Sequence, residues 1–121
     1  MNYTIRTRSD GSTFHSLNGQ LHNTVGPAVI YGNGDRYWFE CDSLHRLDGP
    51  AIDCANGHQE WYHRGSLHRV GGPALINRTG SKYWYKLGQL HNSEGPAIEI
   101  GKHVEYWING KQLTEQEFKD L

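Results

Sequence analysis

The sequence predicts an all-β protein: an elongated, single-layer antiparallel sheet of five tandem β-hairpin repeats of 23 residues, ending in a short C-terminal helical cap. Three columns predict it, each recurring at a step of 23 without insertion. Gly-Pro-Ala stands at Gly26-Pro27-Ala28, Gly49-Pro50-Ala51, Gly72-Pro73-Ala74 and Gly95-Pro96-Ala97. Leu-His stands at Leu21-His22, Leu44-His45, Leu67-His68 and Leu90-His91. All four tryptophans, Trp38, Trp61, Trp84 and Trp107, keep the same step. A fixed period shared by independent columns is the mark of a repeat array rather than of composition.

Counting from Gly-Pro-Ala, the repeats are 26–48, 49–71, 72–94 and 95–117, all within one domain of 121 residues. One further step back gives a degenerate repeat, 3–25, with Ile5 in the alanine slot and His15 in the tryptophan slot. Irregular outer repeats are expected of an array whose ends lack a neighbour. Inside each repeat a short apolar run (Ala28–Tyr31, Ala51–Ile52, Ala74–Ile76, Ala97–Ile100) leads into turn formers such as Asn33-Gly34, Asn56-Gly57, Thr79-Gly80 and Gly101-Lys102. An aromatic run follows (Tyr37-Trp38-Phe39, Trp61-Tyr62, Tyr83-Trp84-Tyr85, Tyr106-Trp107), so two β-prone stretches flank each turn. A second turn with Gly65, Gly88 or Asn109-Gly110 precedes the next Leu-His.

The column after Ala is always aliphatic (Val29, Ile52, Leu75, Ile98), whereas the next one reads Ile30, Asp53, Ile76, Glu99. Strand alternation then gives one dry and one wet face, with the second column exposed. Glycine before proline is expected to supply backbone freedom, proline to fix φ, and alanine to mark tight contact between repeats. At the C-terminus, Thr114 and Glu117 have capping-box spacing, and Phe118 and Leu121 follow; residues 114–121 are expected to fold over the last hairpin.

These residues resemble the MORN family, whose repeat is also a β-hairpin of similar length with aromatic and glycine positions. The shared features are the aromatic run, the glycine before the connecting segment (Gly65, Gly88), a histidine soon after it and a further glycine. Leu-His-Arg/Asn-x-x-Gly-Pro-Ala makes this a variant, similar to repeats in uncharacterised phage and giant-virus proteins. The resemblance implies a hairpin scaffold for contacts and no reaction. From the phage likeness comes the expectation of an accessory protein that binds and inhibits a host protein, such as a defence factor, in the host cytoplasm.

Composition narrows the partners. Twelve basic residues against thirteen acidic ones leave a net charge of −1, so double-stranded nucleic acid is not an expected partner. No apolar run approaches the roughly 20 residues of a membrane-spanning helix, and the opening segment lacks a signal-peptide core. A cytoplasmic setting is expected, with Cys41 and Cys54 as thiols, although neighbouring strands leave a single bridge between them open.

The residues flanking tryptophan point to a contact surface. Tyr37, Tyr83 and Tyr106 precede it, and Phe39, Tyr62 and Tyr85 follow it. Alternation puts both flanks opposite Trp, as an exposed aromatic stripe for a protein partner. Arg78 and Lys82 stand at its rim, in the repeat 72–94 with three basic residues against one acidic. Open edges and such a stripe also accommodate a homodimer. The alternative is a small-molecule binder holding a nucleotide-like ligand between aromatics and the in-register His22, His45, His68 and His91.

Successive histidines would lie about 10 Å apart, two strand spacings, so they cannot share one zinc ion with ligands at about 2 Å. Their structural role would be to bond the neighbouring turn while packing on tryptophan. A carboxylate follows three residues later only at His45–Asp48 and His91–Glu94, and no nucleophile set or phosphate loop stands out. No enzyme activity, catalytic residue, metal or cofactor is expected, and a purely structural array remains the third reading.

Overall fold

The computed structural model describes residues 2–121 and is nearly all β. One long, open antiparallel sheet of 12 strands runs the length of the chain. Its order follows the sequence: Tyr3–Thr7, Thr13–Leu17, then Val29–Ile30 and Arg36–Tyr37, Ile52–Asp53 and Gln59–Glu60, Leu75–Ile76 and Lys82–Tyr83. Ile98–Ile100, His103–Ile108 and Lys111–Leu113 complete it, while Gln20–Leu21 pairs only with Thr13–Leu17. No helix among the described residues is long and apolar enough to cross a membrane.

Four of the five main hairpins turn through three residues. Tyr31 N–H donates to Asp35 at 2.9 Å, Cys54 to His58 at 2.9 Å, Asn77 to Ser81 at 3.1 Å and Arg8 to Ser12 at 2.8 Å. The last turn residue is always a left-handed glycine: Gly11, Gly34, Gly57 and Gly80, with φ between 88° and 96°. That is the three-residue hairpin closed by a glycine bulge. The Ile98–Ile100/His103–Ile108 hairpin instead turns through Gly101-Lys102 alone, one residue fewer.

Beyond tryptophan the chain leaves this sheet and forms a second, two-stranded hairpin in each middle repeat: Phe39–Glu40 with Ser43–Leu44, Tyr62–His63 with Ser66–Leu67, and Tyr85–Lys86 with Gln89–Leu90. Their two-residue turns have positive φ at both positions, as at Cys41 (47°) and Asp42 (66°) or Arg64 (46°) and Gly65 (87°). Tryptophan is the pivot. Trp38 N–H donates to the Ala51 carbonyl at 2.7 Å, and its own carbonyl accepts from His45 N–H at 3.1 Å. Trp61 and Trp84 repeat both bonds with Ala74, His68, Ala97 and His91. His15 does so in the first repeat, with Ala28 and His22.

The core is thin and periodic. Ala28, Ala51, Ala74 and Ala97 are wholly buried, and Val29, Ile52 and Ile98 nearly so. Register puts Val29 opposite Tyr37 and Tyr37 opposite Ile52, so the aliphatic column and the tyrosines share one face. Ala and Trp occupy the other. Since both Ala and its aliphatic neighbour are buried, neither face is simply wet. Ile30, Asp53, Ile76 and Glu99, expected to be exposed, are half-buried. Asp53 is held there by Arg36 Nη2 at 2.8 Å.

Gly26, Gly49, Gly72 and Gly95 also depart from expectation, because none has positive φ. At Gly49 and Gly72 a Cβ would meet the Arg46 or Arg69 guanidinium carbon at 2.8 Å. These glycines make room for a side chain rather than supplying a special backbone.

The C-terminal helix, Glu115–Lys119, starts at the Thr114–Glu117 capping box, with both reciprocal bonds formed. Phe118 stacks on Tyr106 with ring centroids 4.7 Å apart, whereas Leu121 is left exposed. Cys41 and Cys54 are unbridged.

Candidate functional site

The Leu-His segments organise an indented edge of the molecule. His22, His45, His68 and His91 each turn Nδ1 toward the second turn of the following repeat. There Nδ1 accepts from the backbone N–H of Cys41 (3.2 Å), Arg64 (2.9 Å), Leu87 (3.0 Å) and Asn109 (2.9 Å) respectively. Accepting at Nδ1 places the neutral ring's proton on Nε2. The first three donors step by 23, but the fourth falls one residue short.

The residue after each histidine closes its own loop. Asn23 and Asn92 donate from Nδ2 to the carbonyls of Pro27 (3.1 Å) and Pro96 (2.9 Å). Arg46 and Arg69 donate from Nη1 to Pro50 and Pro73, both at 3.1 Å. Their guanidinium carbons lie over the Trp38 and Trp61 rings, 3.8 and 4.0 Å from the centroids. A planar cation on an indole face is a favourable electrostatic contact.

Between successive loops lie three open clefts of about 700, 570 and 560 Å³. Each has a Trp and the aromatic after it in its lining: Trp38 and Phe39, Trp61 and Tyr62, Trp84 and Tyr85. All four in-register histidines line these clefts. The walls carry exposed aliphatic tips, Val25 (92 %), Leu47 (83 %) and Val70 (87 %). His63 and His68 line the middle cleft with centroids 6.1 Å apart, and His63 lies 5.1 Å from His45 of the first cleft. Burial holds His68 below the ordinary histidine value, and His63 and the Lys86 ammonium add to this.

The structure divides the expected aromatic stripe. All six rings are half-buried rather than exposed. Phe39, Tyr62 and Tyr85 reach the clefts. Tyr37 and Tyr83 stay in the main sheet, Tyr37 edge-on to Tyr31 at 5.2 Å. Tyr106 lies in the long strand His103–Ile108 and lines none of the three clefts. In the shortened last hairpin Glu105 pairs with Ile98, the place of Tyr83 opposite Leu75. Tyr106 therefore takes the tryptophan slot, under Phe118, and Trp107 takes the slot of Tyr62. Side-chain bonds repeat the shift. Glu60 accepts from Tyr62 Oη at 2.7 Å and pairs with His58 Nε2 at 2.6 Å. Glu105 accepts from Trp107 Nε1 at 3.0 Å and pairs with His103 Nε2 at 2.8 Å.

Burial raises the phenols of Tyr37, Tyr62 and Tyr85, and Tyr62 is raised further by its bond to Glu60. Arg78 and Lys82 are exposed but line none of the three clefts. Lys86, from the same basic repeat, lines the third. Sequence reasoning did not single out Arg46, Arg69, Leu47 or Val70. The signal was the Arg/Asn column after Leu-His, two residue types able to donate to a carbonyl four residues on.

No family model, curated protein or solved structure matches the chain.

Proposed function

We propose that the protein is a non-enzymatic binding scaffold whose loop edge holds a protein partner. The observation that carries this is the row of three clefts, each with an aromatic lining and aliphatic tips, repeated at the period of the sequence. Exposed apolar residues grouped along one edge, with aromatic and arginine anchors beneath them, have the make-up of a protein contact surface. Because the tyrosines are half-buried, this reading puts the contact surface at the loops rather than on the flat sheet face that the sequence suggested. The similarity to phage repeats supports an accessory protein that blocks a host protein, with a host-cytoplasmic setting.

The test is capture from bacterial lysate by wild type and by a Leu47→Asp/Val70→Asp variant with an unchanged melting temperature. A discrete partner held by wild type and lost by the variant is expected. Identical capture by both proteins rules the loop edge out. A small-mass adduct in native mass spectrometry, lost on denaturation, would replace this reading with sequestration of a small ligand between the histidines and the aromatics.

A further inference from the structure

The loops of the repeats 26–48 and 49–71 differ at one chemically telling place. Arg46 and Arg69 make the same bond to the proline carbonyl and the same stack on tryptophan. Arg46 has a further partner: its Nε donates to Asp48 Oδ1 at 2.8 Å. One period later the residue is Gly71, and no acceptor meets Arg69 Nε among the described residues. A half-buried guanidinium thus keeps its Nε edge free of any protein acceptor and open to solvent, and that edge is the one carboxylates bind with paired, charge-assisted bonds. Part burial lowers the Arg69 pKa by desolvation, so its charge is less well solvated than that of a free arginine.

The space beside it is open. Gly71 has φ of +83°, and a Cβ built there would meet nothing within 4 Å. The adjoining cleft of about 560 Å³ is lined by Arg69, Lys86, His68 and His91. Two carboxylates, Glu94 and Glu99, also line it, yet neither lies within 4.0 Å of Arg69 or Lys86. Val70, next to Arg69, is 87 % exposed and offers an apolar contact to whatever brings the charge.

We propose that Arg69 is a recognition residue that receives an aspartate or glutamate carboxylate from a partner protein, in the place that Asp48 fills on Arg46. The inference rests on the partner-binding reading and adds its chemistry: the partner presents an acidic side chain flanked by an apolar one. Asp48 is the internal template for that contact. It also explains why the Arg46 loop is not an equivalent site, since its Nε already meets Asp48.

The experiment uses the full chain labelled with nitrogen-15, following Arg Nε–H and Trp indole signals during titration. The probes are the peptides Ac-Leu-Glu-Leu-NH2 and Ac-Leu-Gln-Leu-NH2, and inorganic phosphate. A saturable shift of Arg69 Nε–H and the Trp61 indole is expected with the Glu peptide, at least tenfold weaker with the Gln peptide and with phosphate. Arg46 should not respond in wild type. Asp48→Gly should give Arg46 and Trp38 the same response, a gain that a folding defect cannot imitate, and Arg69→Gln should remove the original one. Equal responses to the Glu and Gln peptides, or a phosphate response equal to that of the Glu peptide, overturn the proposal. So does a silent Arg69. Loop-tip signals moving equally with both peptides would overturn it while leaving the partner-binding reading standing, because lysate capture decides that reading separately.

Discussion

Four glycines precede proline in equivalent places, and the structure predicts that only two of them resist alanine. At Gly49 a Cβ would stand 2.8 Å from Arg46 Cζ and 3.0 Å from Nη1, whereas at Gly26 the nearest atom is Asn23 Nδ2 at 3.8 Å, an ordinary contact. None of the four has positive φ, so the backbone itself tolerates a side chain. Alanine at Gly49 must push the guanidinium away from the Pro50 carbonyl and off the Trp38 ring. A charged hydrogen bond contributes about 1.5–3 kcal/mol and an exposed cation–π contact about 0.5–1 kcal/mol. The Asp48 contact adds little, because that carboxylate is 85 % exposed. Partial retention of these contacts by a flexible arginine brings the loss to about 2 kcal/mol. The reduced freedom of the unfolded chain returns about 0.4–1 kcal/mol. Gly49→Ala should therefore destabilise by about 1–1.5 kcal/mol, roughly 4–6 °C in a chain of this length. Gly26→Ala should stabilise by about 0.5 kcal/mol on the entropy term alone. Urea unfolding followed by tryptophan fluorescence reads both. Pairing Gly49→Ala with Arg46→Asn puts the shorter asparagine in the place that Asn23 holds and should abolish the penalty. Equal effects at Gly26 and Gly49, or a penalty that survives Arg46→Asn, would show that the backbone and not the arginine demands glycine.

Other positions give independent checks. Gly32→Ala should cost well over 1 kcal/mol, because its Cβ would run into the Asp10 carbonyl, a backbone atom that cannot swing aside; Gly57→Ala, facing open space but at φ of +96°, should cost about 1 kcal/mol from backbone strain, and a comparison of unfolding midpoints orders the two. The His68 ring is held neutral below its ordinary value of 6.5, so the unfolded chain binds its proton first. Stability should fall as pH drops through about 6.5, and melting curves of His68→Gln should show a smaller fall between pH 7.5 and 5.5 than wild type. The lowered carboxylates of Asp48 and Glu105 belong to a separate window: their contribution is complete above ordinary values of 3.8 and 4.5, and goes only as pH falls through the lower values of the folded state. Phe118→Ala should expose the Tyr106 ring and lower stability by about 1 kcal/mol, with faster hydrogen exchange confined to the last hairpin; uniform exchange across all repeats would contradict a local cap.

The array itself was legible in the sequence because its determinants are local. The 23-residue step, the Asn/Thr-Gly turns and the Thr114–Glu117 capping box each specify geometry within a few residues, and the sheet order follows the chain. The buried alanines were legible too, since nothing larger fits where four repeats keep the smallest side chain. The candidate site was not. Tryptophan spacing placed Trp107 in the column of Trp84, but the two-residue turn at Gly101-Lys102 removes one position from the last hairpin. Side chains alternate along a strand, so a single lost residue moves every later one to the opposite face. Trp107 and Tyr106 exchange faces while the sequence period stays unbroken.

The exposure of Tyr37, Tyr62 and Tyr85 likewise depended on what lies beside them, and adjacent columns alone do not specify that. The sequence by itself determined the repeat, its hairpins and the caps, through turn chemistry and alternation. Only the tertiary structure decided that the chain leaves the sheet at Trp38, Trp61 and Trp84, that the Leu-His loops stand apart as walls of clefts, and that Arg69 lacks the partner Arg46 has. Those outcomes rest on contacts between residues of different loops and strands, where a 0.2 Å difference in stacking over tryptophan is trivial and one missing carboxylate is not.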